Sequence, residues 1–311
     1  MNARLFHPSL IGLLLAAVPA YAEAPRVVAS IAPIHSLVAS VMQGAGAPEL
    51  LIPAEVSEHD YALKPSDLRK IANADLVVWV GESLETYLVK PLETEGVAQL
   101  ELLDAEEVDP HPYGKAEKHE DHVASPEEEE DEHGHDHLGL DPHVWLDPVR
   151  AVAIVNAVAE RLAEIDPANA DLYAANAGLA VAALQALDSE LSARLGPLGN
   201  KPFVTFHDGY SYFVERYGLD QVGQLTVHPE QRPGAATLRD LRATIAEEEV
   251  ACVFAEPQFD PGVLRSLAGD AEMRVGVLDP LGAGLVPGPM LYGALLRKNA
   301  EAVAACLTST S

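Results

Sequence analysis

Asp75-Leu76-Val77-Val78-Trp79-Val80 carries apolar side chains at both odd and even positions before it ends at Gly81. A strand with one solvated face alternates apolar and polar residues. This run does not, so both of its faces must be covered. The same style recurs at 27–31, 50–52 and 98–103, and again at 203–206, 251–255 and 275–278. Helical patterns fall between and after these runs, at 37–42, 66–72, 210–217, 238–248 and 290–307. Buried strands alternating with helices predict an α/β chain with parallel sheets flanked by helices, here in two halves of similar style.

Two further helices begin with the same signal. Asp147-Pro148 offers an N-cap followed by proline at the first helical position, and Asp166-Pro167 repeats it. After the first, apolar residues recur at Val149, Val152, Val155, Val158, Leu162 and Ile165. The second helix runs to about Leu195 and stops at Gly196-Pro197, with Leu172, Leu179, Ala183, Leu187, Leu191 and Leu195 as its expected apolar stripe. At 1.5 Å per residue such a helix spans ~40 Å, the length of a domain, and suits a rigid connector between two lobes.

Charge narrows the function. The chain has 20 Lys+Arg against 48 Asp+Glu, a net charge of -28, which opposes binding to a phosphate backbone and excludes a nucleic-acid partner. Residues 101–137 hold 15 acidic residues, 2 Lys and 6 of the 12 histidines: His111, His119, His122, His133, His135 and His137. This stretch has no hydrophobic period, so a disordered acidic, His-rich loop is expected over about 105–138. A solvated insert is the plain reading of such a charge run. Histidine-rich tracts also bind metals, so His119, His122, His133, His135 and His137 are candidates for an auxiliary low-affinity metal loop, a collector or a sensor of high metal.

Residues 1–22 have the pattern of a cleavable secretory signal peptide: Arg4, an apolar run over 10–18, and Ala20-Tyr21-Ala22 before the cut. The mature, exported chain would start near Glu23. Cys252 and Cys306 then form an even pair in an oxidising compartment. A disulfide between them would close a loop of about 55 residues and stabilise by ~4 kcal/mol at the upper end. Two separate buried thiols are the alternative.

Three histidines occupy a shared kind of place. His59 follows the 50–52 strand, His143 precedes the Asp147 cap, and His207 follows the 203–206 strand. In open α/β sheets, ligands bind beyond the carboxyl ends of strands. Each of the three has carboxylates beside it in sequence: Glu58 and Asp60, Asp141, and Asp208. Ligating imidazoles usually need such acceptors. Asp279 ends the 275–278 strand in the same way. The histidines lie 84 and 64 residues apart, too far for a motif, and satisfied core or surface histidines stay open as the alternative. His35 opens a helix and is assigned packing or capping.

Several segments together carry a resemblance. They are Ser30-Ile31-Ala32-Pro33-Ile34-His35-Ser36-Leu37, Ser57-Glu58-His59-Asp60-Tyr61, Pro65-Ser66-Asp67, the 75–81 strand, Asp141-Pro142-His143-Val144-Trp145-Leu146-Asp147-Pro148, Phe206-His207-Asp208, Phe254-Ala255-Glu256-Pro257-Gln258 and Leu278-Asp279-Pro280-Leu281. In this order the chain resembles the zinc-specific solute-binding proteins of ABC uptake systems, the ZnuA type. The resemblance implies two α/β lobes, each with a mainly parallel sheet flanked by helices, joined by one long rigid helix, with Zn²⁺ bound between them as the transported ligand. On that pattern the N-terminal lobe covers 23–165, the linking helix 166–196 and the C-terminal lobe 197–311. His59, His143 and His207 would be metal ligands, with Glu58 or a water completing the set. Asp279 would support a ligand or replace one. Manganese-preferring members carry a carboxylate where His207 stands. The Cys252–Cys306 pair also matches the family's disulfide.

The partner implied is the membrane permease of the ABC transporter, with other periplasmic zinc-binding proteins as further partners, and the chain would act as a monomer. Three neutral imidazoles suit Zn²⁺, whereas Mn²⁺ favours more carboxylate, so manganese or broad divalent-metal binding is the alternative. A zinc hydrolase is a weaker reading, because the chain has no His-Glu-x-x-His run and no evident base beyond the ligand set. A passive periplasmic zinc buffer is a third.

Overall fold

The computed structural model describes residues 24–113, 139–227, 229–230, 233–250, 252–260, 262, 264 and 273–308. The signal-peptide segment and His119, His122, His133, His135 and His137 lie outside the described residues.

The first half builds one sheet from β1 (Val27–Ala29), β2 (Glu49–Leu50), β3 (Leu76–Trp79) and β4 (Gln99–Glu101), in the order β2-β1-β3-β4. All of its pairings are parallel. β1 and β3 are buried at every position, as their unalternating sequences require. Helices α1 (Ala32–Val41), α2 (Pro65–Asn73) and α3 (Thr86–Glu95) connect them. The α1 helix starts five residues before the expected 37–42 segment, with Pro33 in its first turn, where a missing N–H costs nothing. α3 is absent from the sequence reading because Pro91 sits in its middle and only Leu88 and Leu92 are buried.

The second half repeats the plan. β5 (Pro202–His207), β6 (Asp220–Thr226), β7 (Cys252–Ala255) and β8 (Arg274–Val277) form a parallel sheet in the order β6-β5-β7-β8. The helices that follow in the chain are α6 (Ser211–Tyr217) after β5 and α7 (Ala235–Glu247) after β6, and the chain closes on α8 (Leu291–Thr308). β6 is a half-buried edge strand interrupted by Gly223, which is why no apolar run announces it.

Between the sheets in sequence lie α4 (Pro148–Ile165) and α5 (Ala170–Leu195). Asp147 caps α4 as expected, its carboxylate accepting Val149 N–H at 2.8 Å. Val149 itself is exposed. The long helix is present, preceded by a 3-10 turn at Pro167–Asn169. Its buried stripe is Tyr173, Ala177, Leu184, Leu187, Leu191 and Leu195, and Leu179 is 72% exposed. Steps of four residues overshoot a full turn by about 40°, so a stripe extended backwards by fours from Leu195 drifts off the buried face. Steps of three and four hold it there.

The acidic stretch is ordered further in than its composition suggests. Glu106–Val108 forms a 3-10 turn because Val108 buries its side chain, and Pro112 pairs with Leu140 in an antiparallel bridge. One continuous core includes residues from Val27 to Leu307, and a smaller one lies around Val204, Leu241 and Val253. Cys252 and Cys306 form the expected disulfide, tying β7 to α8.

Candidate metal centre

Both sheets end their strands toward one place. His207 is the last residue of β5, Glu256 follows β7, and Asp279 follows β8. His143 enters from the segment before the 3-10 turn Val144–Leu146, and His59 from the loop after β2. The three imidazoles meet. Nε2 of His143 is 3.3 Å from Nε2 of His59 and 3.2 Å from Nε2 of His207. One ligand atom from each lies within 4.8 Å of the others. Four donors at about 2.0 Å around a tetrahedral ion stand roughly 3.3 Å apart, so this spacing fits one zinc-sized ion. His143 and His207 are buried, while His59 is partly open.

The far nitrogens explain the orientation. Asp141 Oδ1 lies 2.7 Å from His143 Nδ1 and accepts its backbone N–H at 3.0 Å. Burial works against ionisation of Asp141, yet contact with His143 and the Ser211 hydroxyl holds its carboxyl below the usual range. The carboxylate therefore accepts the Nδ1–H hydrogen bond and leaves the Nε2 lone pair facing the cluster. Glu256 Oε1 stands 2.5 Å from His207 Nδ1. Burial lowers His207 to about 4 and pushes Glu256 well up, so without a cation each resists its charged form. Converging lone pairs on neighbouring imidazoles repel one another, and a divalent cation removes that repulsion.

Two other observations fit a cation. Glu58 is 1% exposed and its Oε1 has no hydrogen-bond partner among the described residues, while burial raises its carboxyl to about 8. A Cβ placed on Gly209 would lie 2.3 Å from His207 Nε2 and 3.1 Å from His143 Nε2. Glycine at 209 thus keeps open the space that both nitrogens face.

The other expected residues take separate places. Among the described residues, neither Glu58 nor Asp279 joins the 4.8 Å group. Asp279 Oδ1 accepts Leu281 N–H at 3.1 Å and Gly282 N–H at 2.9 Å, and Oδ2 meets Lys298 Nζ at 3.3 Å. These bonds make it the organiser of the turn after β8. His207 Nδ1 meets Glu256, a carboxylate 49 residues further along the chain. A carboxylate ending the 251–255 strand was the available signal, and it gains meaning only once β7 is known to lie beside β5. His35 is buried, with Nε2 3.1 Å from the Pro48 carbonyl, which is the packing role expected of it.

Comparison with known proteins agrees with this geometry. Residues 27–306 match the family model described as zinc-uptake complex component A, periplasmic. A relative from Brucella suis, named high-affinity zinc uptake system protein ZnuA, is 39% identical over 310 residues, 92% of each chain. One of the same name from Yersinia pestis is 35% identical over 317 residues, 98% of each chain. A solved structure described as the crystal structure of ZnuA superposes with a TM-score of 0.76 at 26% identity, covering 92% of this chain and all of the other. A match across nearly the whole chain, on a fold that converges three imidazoles, places this chain in the ZnuA family of periplasmic zinc-uptake components.

Proposed function

We propose that this chain captures Zn²⁺ in the periplasm and delivers it to the membrane permease of an ABC transporter for high-affinity zinc uptake. The observation that carries this reading is the convergence of three imidazole Nε2 atoms at 3.2 and 3.3 Å, in a chain of this family. His59, His143 and His207 are the ligands in this reading. Glu58, with its orphaned buried oxygen, is favoured over Asp279 as the fourth group, or else a water fills that place. Three imidazoles favour zinc over manganese. We read the chain as a monomer that binds without turnover, exported by cleavage near Glu23. Its lobes are 23–165 and 197–311 on either side of the long helix, and the histidines of the acidic loop act as a low-affinity collector.

Complementation tests the reading. A strain lacking the gene should fail to grow under zinc limitation and recover with the wild-type gene. It should not recover with His59, His143 and His207 all changed to Ala. Recovery with that triple variant would refute the ligand set.

A further inference from the structure

We propose that Tyr212 is a positioning residue for the metal: its phenol fixes Asp141, and through Asp141 it aims His143. The proposal rests on His143 being a ligand, as read above. Tyr212 stands in the first turn of α6, in the second half of the chain. Its Oη donates to the Asp141 carbonyl at 2.8 Å and accepts the His111 N–H at 3.0 Å. The His111 carbonyl accepts the Asp141 N–H at 2.8 Å, closing the ring of contacts. A phenol can donate and accept at once, so one side chain bridges two backbone segments.

Those segments flank the acidic stretch. Tyr113 N–H donates to Gly139 at 3.2 Å beside the Pro112–Leu140 bridge, so the two ends of that stretch meet two residues from Asp141. The phenol is itself held on both sides. Its ring stacks on His111 with centroids 4.0 Å apart, and the Arg150 guanidinium carbon lies 4.5 Å from its centroid. Arg150 is pinned by the Asp109 carbonyl at 3.1 Å and by the Asp147 carboxylate at 2.8 Å. The preceding residue, Ser211, donates to Asp141 Oδ2. Consecutive residues of α6 thus fix both the backbone and the carboxylate of Asp141. Oδ1 remains to hold His143, at its backbone N and at Nδ1. The direction of a ligand carried by the first half of the chain is set from the second half.

Tyr212→Phe keeps the stacked ring and removes only the bridge. Zinc competition titrations should show roughly ten-fold weaker binding, the range seen when a ligand's outer support is lost. The visible bands of the Co²⁺-loaded variant should shift, because a reoriented imidazole changes the ligand field. Tyr173→Phe is the control: its buried Oη donates to Asp166 Oδ2 at 2.7 Å, outside the site, so it should lose thermal stability and keep both zinc affinity and the cobalt spectrum. Wild-type affinity and an unchanged spectrum in Tyr212→Phe would overturn the proposal. So would equal weakening in both tyrosine variants. His143→Ala, measured in parallel, separates the two claims: if it keeps wild-type zinc affinity, the ligand reading fails first.

Discussion

Glu256 and His207 stand 49 residues apart in sequence and 2.5 Å apart in space, at the ends of two adjacent parallel strands. The β5–β7 register pairs Thr205 with Phe254, and two further steps bring His207 opposite Glu256 on the same face. The carboxylate fixes the imidazole through Nδ1 and leaves Nε2 for the metal. Glu256→Gln should therefore weaken zinc binding by roughly 10–100-fold while leaving the fold intact, as measured by competition with a chromogenic chelator. Unchanged affinity would separate this contact from metal binding.

Gly209 makes a steric prediction. Its φ lies outside the left-handed region, so alanine adds no backbone strain, but the new methyl would meet the nitrogens of His207 and His143. Gly209→Ala should abolish measurable zinc binding and also lower the melting temperature of the metal-free protein, because the buried His207 ring must shift to admit the methyl. Calorimetric titration and a thermal melt of the same sample read both quantities.

The disulfide should matter for stability and not for affinity. Cys252 begins β7 and Glu256 follows its end, so ~13 Å of strand separates the bond from the site. Replacing both cysteines by Ser should cost about 2–4 kcal/mol in denaturant unfolding. Zinc affinity should stay within about three-fold, a change worth less than ~1 kcal/mol.

Glu85 gives a pH signature away from the metal. It is fully buried, and burial raises its carboxyl to about 7 despite hydrogen bonds from the Val80 and Gly81 amides. The unfolded chain releases this proton near pH 4.5. Between those values the folded state binds more protons, so this group's contribution to stability falls as pH rises. The loss is roughly 3 kcal/mol at most. Glu85→Gln should be more stable relative to wild type at pH 8 than at pH 5, by denaturant unfolding at both. An equal difference at the two pH values would contradict the assignment.

What the chain makes legible follows from how local each signal is. The continuous apolar run at 75–80 announces a doubly covered strand by itself, and Asp147-Pro148 announces a helix start within two residues. α3 hides behind Pro91, and β6 behind Gly223 and its half-exposed face. The histidines are visible as residues at chain turns, but their meeting depends on two sheets pointing their strand ends together. The supports are less visible still. Glu256 reaches His207 only through strand register, and Ser211 and Tyr212 reach Asp141 across 70 and 71 residues. Pairings of that kind belong to tertiary structure, and no local pattern encodes them.

The most direct test of the account is a Zn²⁺/Mn²⁺ competition titration on the mature protein, with and without residues 115–137. The account predicts one tight zinc site in both forms, lower total zinc in the shortened form, and no displacement by an equal concentration of Mn²⁺. Displacement of zinc by equimolar Mn²⁺, or loss of the tight site with the acidic loop, would contradict it.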